Sequence, residues 1–390
     1  MALPFSYNLR NLLVRKLSSA LTVVVVAAVV FVLAVLLSFA GGIRASLEAT
    51  GMKRNLVVLA PGSTSESTSI LFPDEVTRLV QTPGVDRDAG GTLLVSYEVS
   101  VQTSISRLGP QGNLANVAVR GVDDVAFLIH DNVKVVEGTR FEQGSQQVIV
   151  GKQAANRYVG LEIGKTLPLG RLADRHFTVV GIFEAGGSAL ESEIWGPRTM
   201  LSDAYNRSFL SSALVRIEKE GDVQNAEDYI NGAAVNLSAR TEIDYYVELA
   251  SKTREIVFLA TVLITIMGIG AIFAVANTMY AAVDARKREI AMIRTLGFGR
   301  SAIVLSFTAE SLLLCVPACA IGLAASSLLH GARQDYLSDA TWTVLAYELR
   351  ITPRIVAVCL ALAISVAVAG AVAPALKASR LNLIQALRKA

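Results

Sequence analysis

The stretch DARKREIAMIRTLGFGRSAI, Asp284 to Ile303, carries five basic side chains: Arg286, Lys287, Arg288, Arg294 and Arg300. Long apolar runs flank it. Ile256 to Val283 holds no charged residue, and Ser301 to Leu329 holds one, Glu310. About 20 mostly apolar residues cross a bilayer core. Both runs are long enough, and so are Leu17 to Ile43 and Ile355 to Leu376. The chain is 52% hydrophobic and 18% charged, with a mean hydropathy of +0.48. That balance points to an integral membrane protein with four spans. A net charge of +3 argues against nucleic acid as a partner.

Orientation follows from the basic residues in the short flanks. Arg10, Arg15 and Lys16 precede the first run, and Lys377, Arg380, Arg388 and Lys389 follow the last. With the five in Asp284–Arg300, these flanks carry twelve basic residues against two acids, Asp284 and Glu289. The segment 330–354 is balanced, with Arg333, Arg350 and Arg354 against Asp335, Asp339 and Glu348. Both termini and Asp284–Arg300 are therefore expected in the cytoplasm, and the large segment 44–254 outside. The first run exceeds a signal-peptide core of about 7–15 residues, so an uncleaved helix is expected.

The resulting plan is an α-helical membrane protein with a large α+β domain inserted between its first two spans. An amphipathic cytoplasmic helix covers 1–19, with Leu9, Leu12, Leu13 and Leu17 at helical spacing. Spans follow at 20–43, 255–283, 301–329 and 355–376. The external domain is 44–254, the basic cytoplasmic helix 284–300, a short external loop 330–354 and a cytoplasmic tail 377–390. Within the domain, 55–62, 93–101, 146–151, 176–183 and 212–218 read as strands. The segments 72–85, 152–159 and 222–235 read as helices. The first two spans serve as its stalks.

Enzyme motifs are missing. Gly160–Thr166, GLEIGKT, has three residues between its first glycine and Gly-Lys-Thr where a phosphate loop has four. A turn is the better reading. His130, His176 and His330 are scattered without metal-ligand spacing, and Cys315, Cys319 and Cys359 all fall in spans as small apolar residues. Neither a catalytic residue nor a metal or cofactor of its own is expected. Glu310 and Asn277 are the polar intramembrane candidates. Glu310 is either a functional carboxyl or a structural one bonded to Asn277 or Thr278. Gly268, Gly270, Ala271 and Ala274 offer a close helix contact, either within one chain or between two copies.

Arg286–Phe298 is helix-prone, with Ile290, Ile293 and Leu296 on one side and Gly297 as a stop. The longer stretch RKREIAMIRTLGFGRSAIVLSFTAESLLL, Arg286–Leu314, resembles the signature of the FtsX/MacB-like ABC transporter permease family. The matching positions are Arg286, Arg288, Glu289, Ile290, Arg294, Leu296, Gly297 and Glu310. Asn8–Val24 resembles the family's N-terminal helix, and Ala373–Ala390 its C-terminal end, with Leu383 where the family usually has Pro. The resemblance implies a non-catalytic permease that pairs with a second copy and a cytoplasmic ABC ATPase on another chain. ATP and Mg would be bound by that ATPase. It also implies that Arg286, Arg288, Glu289, Ile290, Ile293, Arg294, Leu296 and Gly297 form an ATPase-docking coupling helix. Location in the bacterial inner membrane, a periplasmic membrane-fusion adaptor, and export or extraction of a lipid, lipoprotein, peptide or drug are further expectations. The alternative is a non-transporting, FtsX-like permease that activates an envelope enzyme. A secondary transporter driven through Glu310 is disfavoured.

Overall fold

The computed structural model describes residues 16–109, 112–251, 254–337 and 344–380. The expected N-terminal helix up to residue 15 and the tail from 381 lie outside them. The described residues divide into a helical unit and an inserted domain, which holds Gly42–Arg254 and Arg333–Glu348. The principal helices are α1 (Lys16–Glu48), α2 (Glu242–Ser251), α3 (Arg254–Ala285), α4 (Lys287–Thr295), α5 (Arg300–Ser327) and α6 (Pro353–Ser379). Among them α1, α3, α5 and α6 are long and apolar enough to cross a membrane.

In the helical unit, small residues set the packing. A Cβ on Gly322 of α5 would lie 2.5 Å from the Ala27 carbonyl of α1, and one on Gly370 of α6 would lie 2.7 Å from Val275 Cβ of α3. Glycine at these positions allows the helices to touch. The close contact of α3 is thus at Val275. Of the set Gly268, Gly270, Ala271 and Ala274, Ala271 is buried in this unit, whereas Gly268 and Gly270 have nothing within 4 Å of an added Cβ, which leaves a contact with a second copy untested. Hydroxyls add ties across the unit. Thr22 and Thr278 meet at 2.6 Å, and Ser311 donates to the Ala367 carbonyl at 2.9 Å. Thr352 caps α6 by accepting from Ile355 N, with Pro353 in the first turn. Pro317 lies inside the continuous helix α5.

The inserted domain is built on β1 (Asn55–Leu59), β2 (Val95–Ser106), β3 (Leu114–Val122), β4 (Lys134–Gly138), β5 (Gln147–Gly151), β6 (Thr166–Leu169), β7 (Arg175–Glu184), β8 (Ile194–Pro197), β9 (Ser212–Arg216) and β10 (Ser238–Thr241). The order in the sheet is β10-β1-β9-β2-β3-β8-β5-β7-β4, with β6 on β7. β3 with β8 and β5 with β7 are parallel; the other pairs are antiparallel. Alternation along the strands sends Val99, Val101, Val117, Val119, Val148 and Val150 into one large core. The other face carries Ile149, Phe183 and Trp195 beneath the short helix Ala126–Ile129.

Two expectations about this domain change. The helix expected over 72–85 is one α-turn, Pro73–Val76, continued as the 3₁₀ segment Thr77–Gln81. The segment 330–354, expected as a short external loop between spans, contains a hairpin, β11 (Arg333–Leu337) with β12 (Val344–Glu348), which groups with the inserted domain.

Candidate coupling site

A single residue, Arg286, separates α3 from α4. Its backbone, at φ −114° and ψ 20°, leaves the helical range and lets the chain turn. At the other end Gly297 adopts φ 96°, a conformation open to glycine at little cost. Phe298 N donates to the Ile293 carbonyl and Gly297 N to that of Arg294, which closes the helix as a Schellman motif. Both ends of α4 are therefore fixed by sequence.

Arg286 is also the anchor. One of its guanidinium nitrogens donates to both oxygens of Glu310, at 2.5 and 2.7 Å, and its head lies 5.4 Å from the centre of the Phe307 ring. Arg286 and Glu310 are 8% and 2% exposed. The one carboxylate inside the apolar helix α5 thus has its counter-charge on the residue that precedes α4. An ion pair inside a low-dielectric unit holds only when both partners are present. Glu310 consequently ties the start of α4 to the middle of α5. Neither Asn277 nor Thr278 serves as its partner: Thr278 pairs with Thr22, and Asn277 sits on the exposed side of α3.

The motif positions divide into two sets. Arg286, Ile290 and the neighbouring Ala291 are buried, whereas Arg288, Glu289, Leu296 and Gly297 are exposed. Ile293 and Arg294 are half-buried. Met292, outside the motif, is 51% exposed and Leu296 78%. Arg288, Met292 and Leu296 recur at a spacing of four and form an exposed stripe of mixed charge and apolar surface. Ile290 faces inward because the helical period puts it opposite that stripe.

A second polar centre, in the inserted domain, escaped the sequence reading. Register puts Ser100 opposite Arg120 and Arg120 opposite Trp195, so Glu98 and Glu193 flank Arg120 on one face. Arg120 Nε donates to Glu193 at 2.7 Å, and Nη1 to Glu98 at 2.6 Å. Nη1 and Nη2 both reach Glu66 at 2.9 Å. Ser212 donates to Glu66 and Trp195 Nε1 to Glu193. Burial opposes the charge on Arg120, but Glu193, Glu66 and Glu98 outweigh it and raise its pKa. Burial alone would raise the Glu98 pKa; Arg120 and His130 hold it down at about 2. The alternating pattern assigns Arg120 to a solvent face. What it does not disclose is that Ala126–Ile129 and the segment 185–193 cover that face.

Four apolar helices with a short anchored helix between two of them, and a mixed-sheet domain inserted after the first, describe a membrane protein of the permease type. The MacB-like periplasmic core domain matches residues 19–233, and the FtsX-like permease C-terminal region matches 261–383. The chain belongs to the FtsX/MacB-like ABC transporter permease family. It is 26% identical to the Escherichia coli macrolide export ATP-binding/permease protein MacB over 76% of this chain and 47% of that one. It is 24% identical to the Bacillus subtilis ABC transporter permease YknZ over 70% of each. The chain spans about half the length of the MacB relatives it matches. Two solved structures resemble parts of it. The extracellular domain of YknZ covers 48% of this chain and 98% of that one, at 16% identity and TM-score 0.34. The periplasmic region of Actinobacillus actinomycetemcomitans MacB covers 50% and 91%, at 12% identity and TM-score 0.35.

Proposed function

We propose that this chain is the permease subunit of an ABC export complex. A partner ATPase in the cytoplasm binds ATP and Mg and seats against α4. Its closing and opening move α4, and the first and second spans carry the motion to the inserted domain, where a lipid, lipoprotein, peptide or drug-like substrate is extracted or exported. A periplasmic adaptor receives it. The observation that carries this reading is α4 itself: a short helix fixed at both ends, anchored through Arg286 to Glu310, and presenting Arg288, Met292 and Leu296 outward. A load applied to that stripe acts on α5 through the ion pair. Both termini lie in the cytoplasm of an inner-membrane protein, and two copies pair through the exposed side of α3 that bears Phe273 and Asn277. An amide on an otherwise apolar span face is well suited to a helix–helix hydrogen bond.

The test is charge reversal on the outward face. Glu289→Arg with Arg294→Glu is expected to abolish stimulation of the co-expressed ATPase while leaving the amount of chain in the membrane unchanged. Unaltered ATPase stimulation in the double variant overturns the docking assignment. An envelope-hydrolase activity that depends on this chain, with no substrate released by it, would replace export by signalling.

A further inference from the structure

The roots of the two stalks meet inside the inserted domain. After α1 the chain passes Thr50, Gly51 and Met52 into β1, and after β10 it passes into α2, which leads towards α3. Glu242, the first residue of α2, is fully buried and bridges both roots. Its Oε2 accepts from Met52 N at 3.0 Å and from Asn55 Nδ2 at 2.8 Å. Gly51 packs so closely on α2 that an added Cβ would lie 2.8 Å from Ile243 Cα. The first root is also held by Thr50, whose hydroxyl accepts from Ala189 N. The second is held by Tyr245, whose hydroxyl accepts from Glu66 N.

His130 stands between this junction and the Arg120 cluster. Its Nε2 is 3.4 Å from Glu98 Oε1, and its Nδ1 is 3.9 Å from Glu242 Oε1. Among the described residues neither ring nitrogen has an aligned hydrogen-bond partner, nor has Glu242 Oε1. The groups around the ring come from five strands and a helix. They are Glu98 on β2, Arg120 on β3, Trp195 on β8 at 5.3 Å between ring centres, Glu242 on α2 and Asn55 on β1. From β9, Arg216 donates to Asn55, Asp131 and the carbonyls of Leu128 and Ile129. A buried imidazole set between two carboxylates of different elements is a charge-dependent link. Protonated, it attracts both; neutral, it leaves Glu98 and Glu242 facing each other.

We propose that Glu242, Asn55 and His130 form a proton-sensitive clasp that fastens both stalk roots to the Arg120 cluster, with His130 as its positioning residue. The clasp rests on the reading that the stalks carry motion, and it deepens that reading by naming where the motion enters the sheet. Proton loss from His130 loosens the junction and weakens transmission. Burial disfavours the imidazolium, but Glu98 more than compensates, so the His130 pKa lies above its ordinary value of about 6.5. Burial raises the Glu242 pKa as well, against the pull of His130, Asn55 and Met52. Both raised values have one sign: the folded junction favours bound protons. Its stability is fully present at mildly acid pH and is lost as pH climbs through the raised His130 pKa.

Hydrogen exchange of the full chain in lipid nanodiscs tests this without any ATPase. Between pH 5.5 and 8.5, exchange in 50–56 and 242–250, divided by its intrinsic rate, is expected to rise on the order of tenfold, while the core strands β5 and β7 stay protected. His130→Gln is expected to abolish this pH dependence. Glu242→Gln, which keeps an acceptor for Met52 and Asn55, is expected to move the transition to lower pH. A flat wild-type profile, or a transition unchanged in both variants, overturns the clasp. His130→Gln that lowers protection equally at every pH marks a merely structural residue and overturns it too. None of these outcomes depends on whether α4 docks an ATPase, which the charge reversal decides separately.

Discussion

Arg120 and Arg286 are both buried arginines facing glutamates, but their settings differ. Arg120 donates five hydrogen bonds to three carboxylates, drawn from a loop, from β2 and from the residue just before β8. Arg286 reaches both oxygens of one carboxylate from a single nitrogen, and the two residues are 24 apart in sequence. The first arrangement joins distant parts of a sheet. The second joins a connecting helix to the span that follows it. A many-partner hub fixes a domain's shape, because no member can move without stranding the others. A pair that links only a connecting helix to the next span leaves the rest of the fold in place when it opens, which is what the proposed coupling role asks of it. Under the proposed function the hub belongs to a rigid body and the Arg286–Glu310 pair to a hinge.

The largest effect that would break this contrast is at the hub. Arg120→Met leaves Glu66, Glu98 and Glu193 buried without their counter-ion. It is expected to destabilise the inserted domain by about 3–5 kcal/mol, read as a loss of the cooperative transition in denaturant. A cost under about 1 kcal/mol would mean that the hub is not a unit. Glu310→Gln is expected to cost less, about 1–3 kcal/mol, because Arg286 lies at the end of a span and can turn its head towards water. Its clearer signature is faster proteolytic or exchange opening of α4 with α5 and α6 unchanged. If Glu310→Gln melts the whole helical unit, the hinge reading fails.

The same contrast explains what the sequence discloses. Four spans are legible because apolar length is a one-dimensional property, and α4 is legible because a basic interval with a glycine stop must leave the bilayer. The division within α4 is harder. The motif marks Arg286 and Arg288 alike, and only the packing of α5 turns the first inward to Glu310. The hub is hidden further still. Arg120 and Glu98 sit at strand positions whose period-two alternation reads as solvent-facing, Glu193 just precedes β8, and the cover comes from Ala126–Ile129 and 185–193, which fold back over the sheet. One signal was available: an arginine inside NVAVRGV, Asn116–Val122, whose three valines suit a strand.

The threonine pair between α1 and α3 should cost least to break. Thr22 donates to the Ser18 carbonyl at 3.0 Å within its own helix, so the hydroxyl it meets at 2.6 Å, that of Thr278, acts as the donor between them. Interhelical hydrogen bonds of this kind contribute about 0.6 kcal/mol on average and up to about 1.7, because hydroxyls in an unfolded membrane chain also find backbone acceptors. Thr278→Val removes a donor whose acceptor remains satisfied through its own proton, and it is expected to cost about 0.6 kcal/mol. Thr22→Val removes the acceptor and strands the Thr278 proton, which can turn to its own helix's carbonyls, so its cost should be similar. A double-mutant cycle in the two threonines, read by reversible unfolding in mixed micelles, is therefore expected to give a coupling energy near 0.6 kcal/mol. A coupling above about 2 kcal/mol would show that α1 and α3 are locked together as firmly as the hub. Two stalks so locked could not move against each other, and the joint would have to lie elsewhere than in the helical unit.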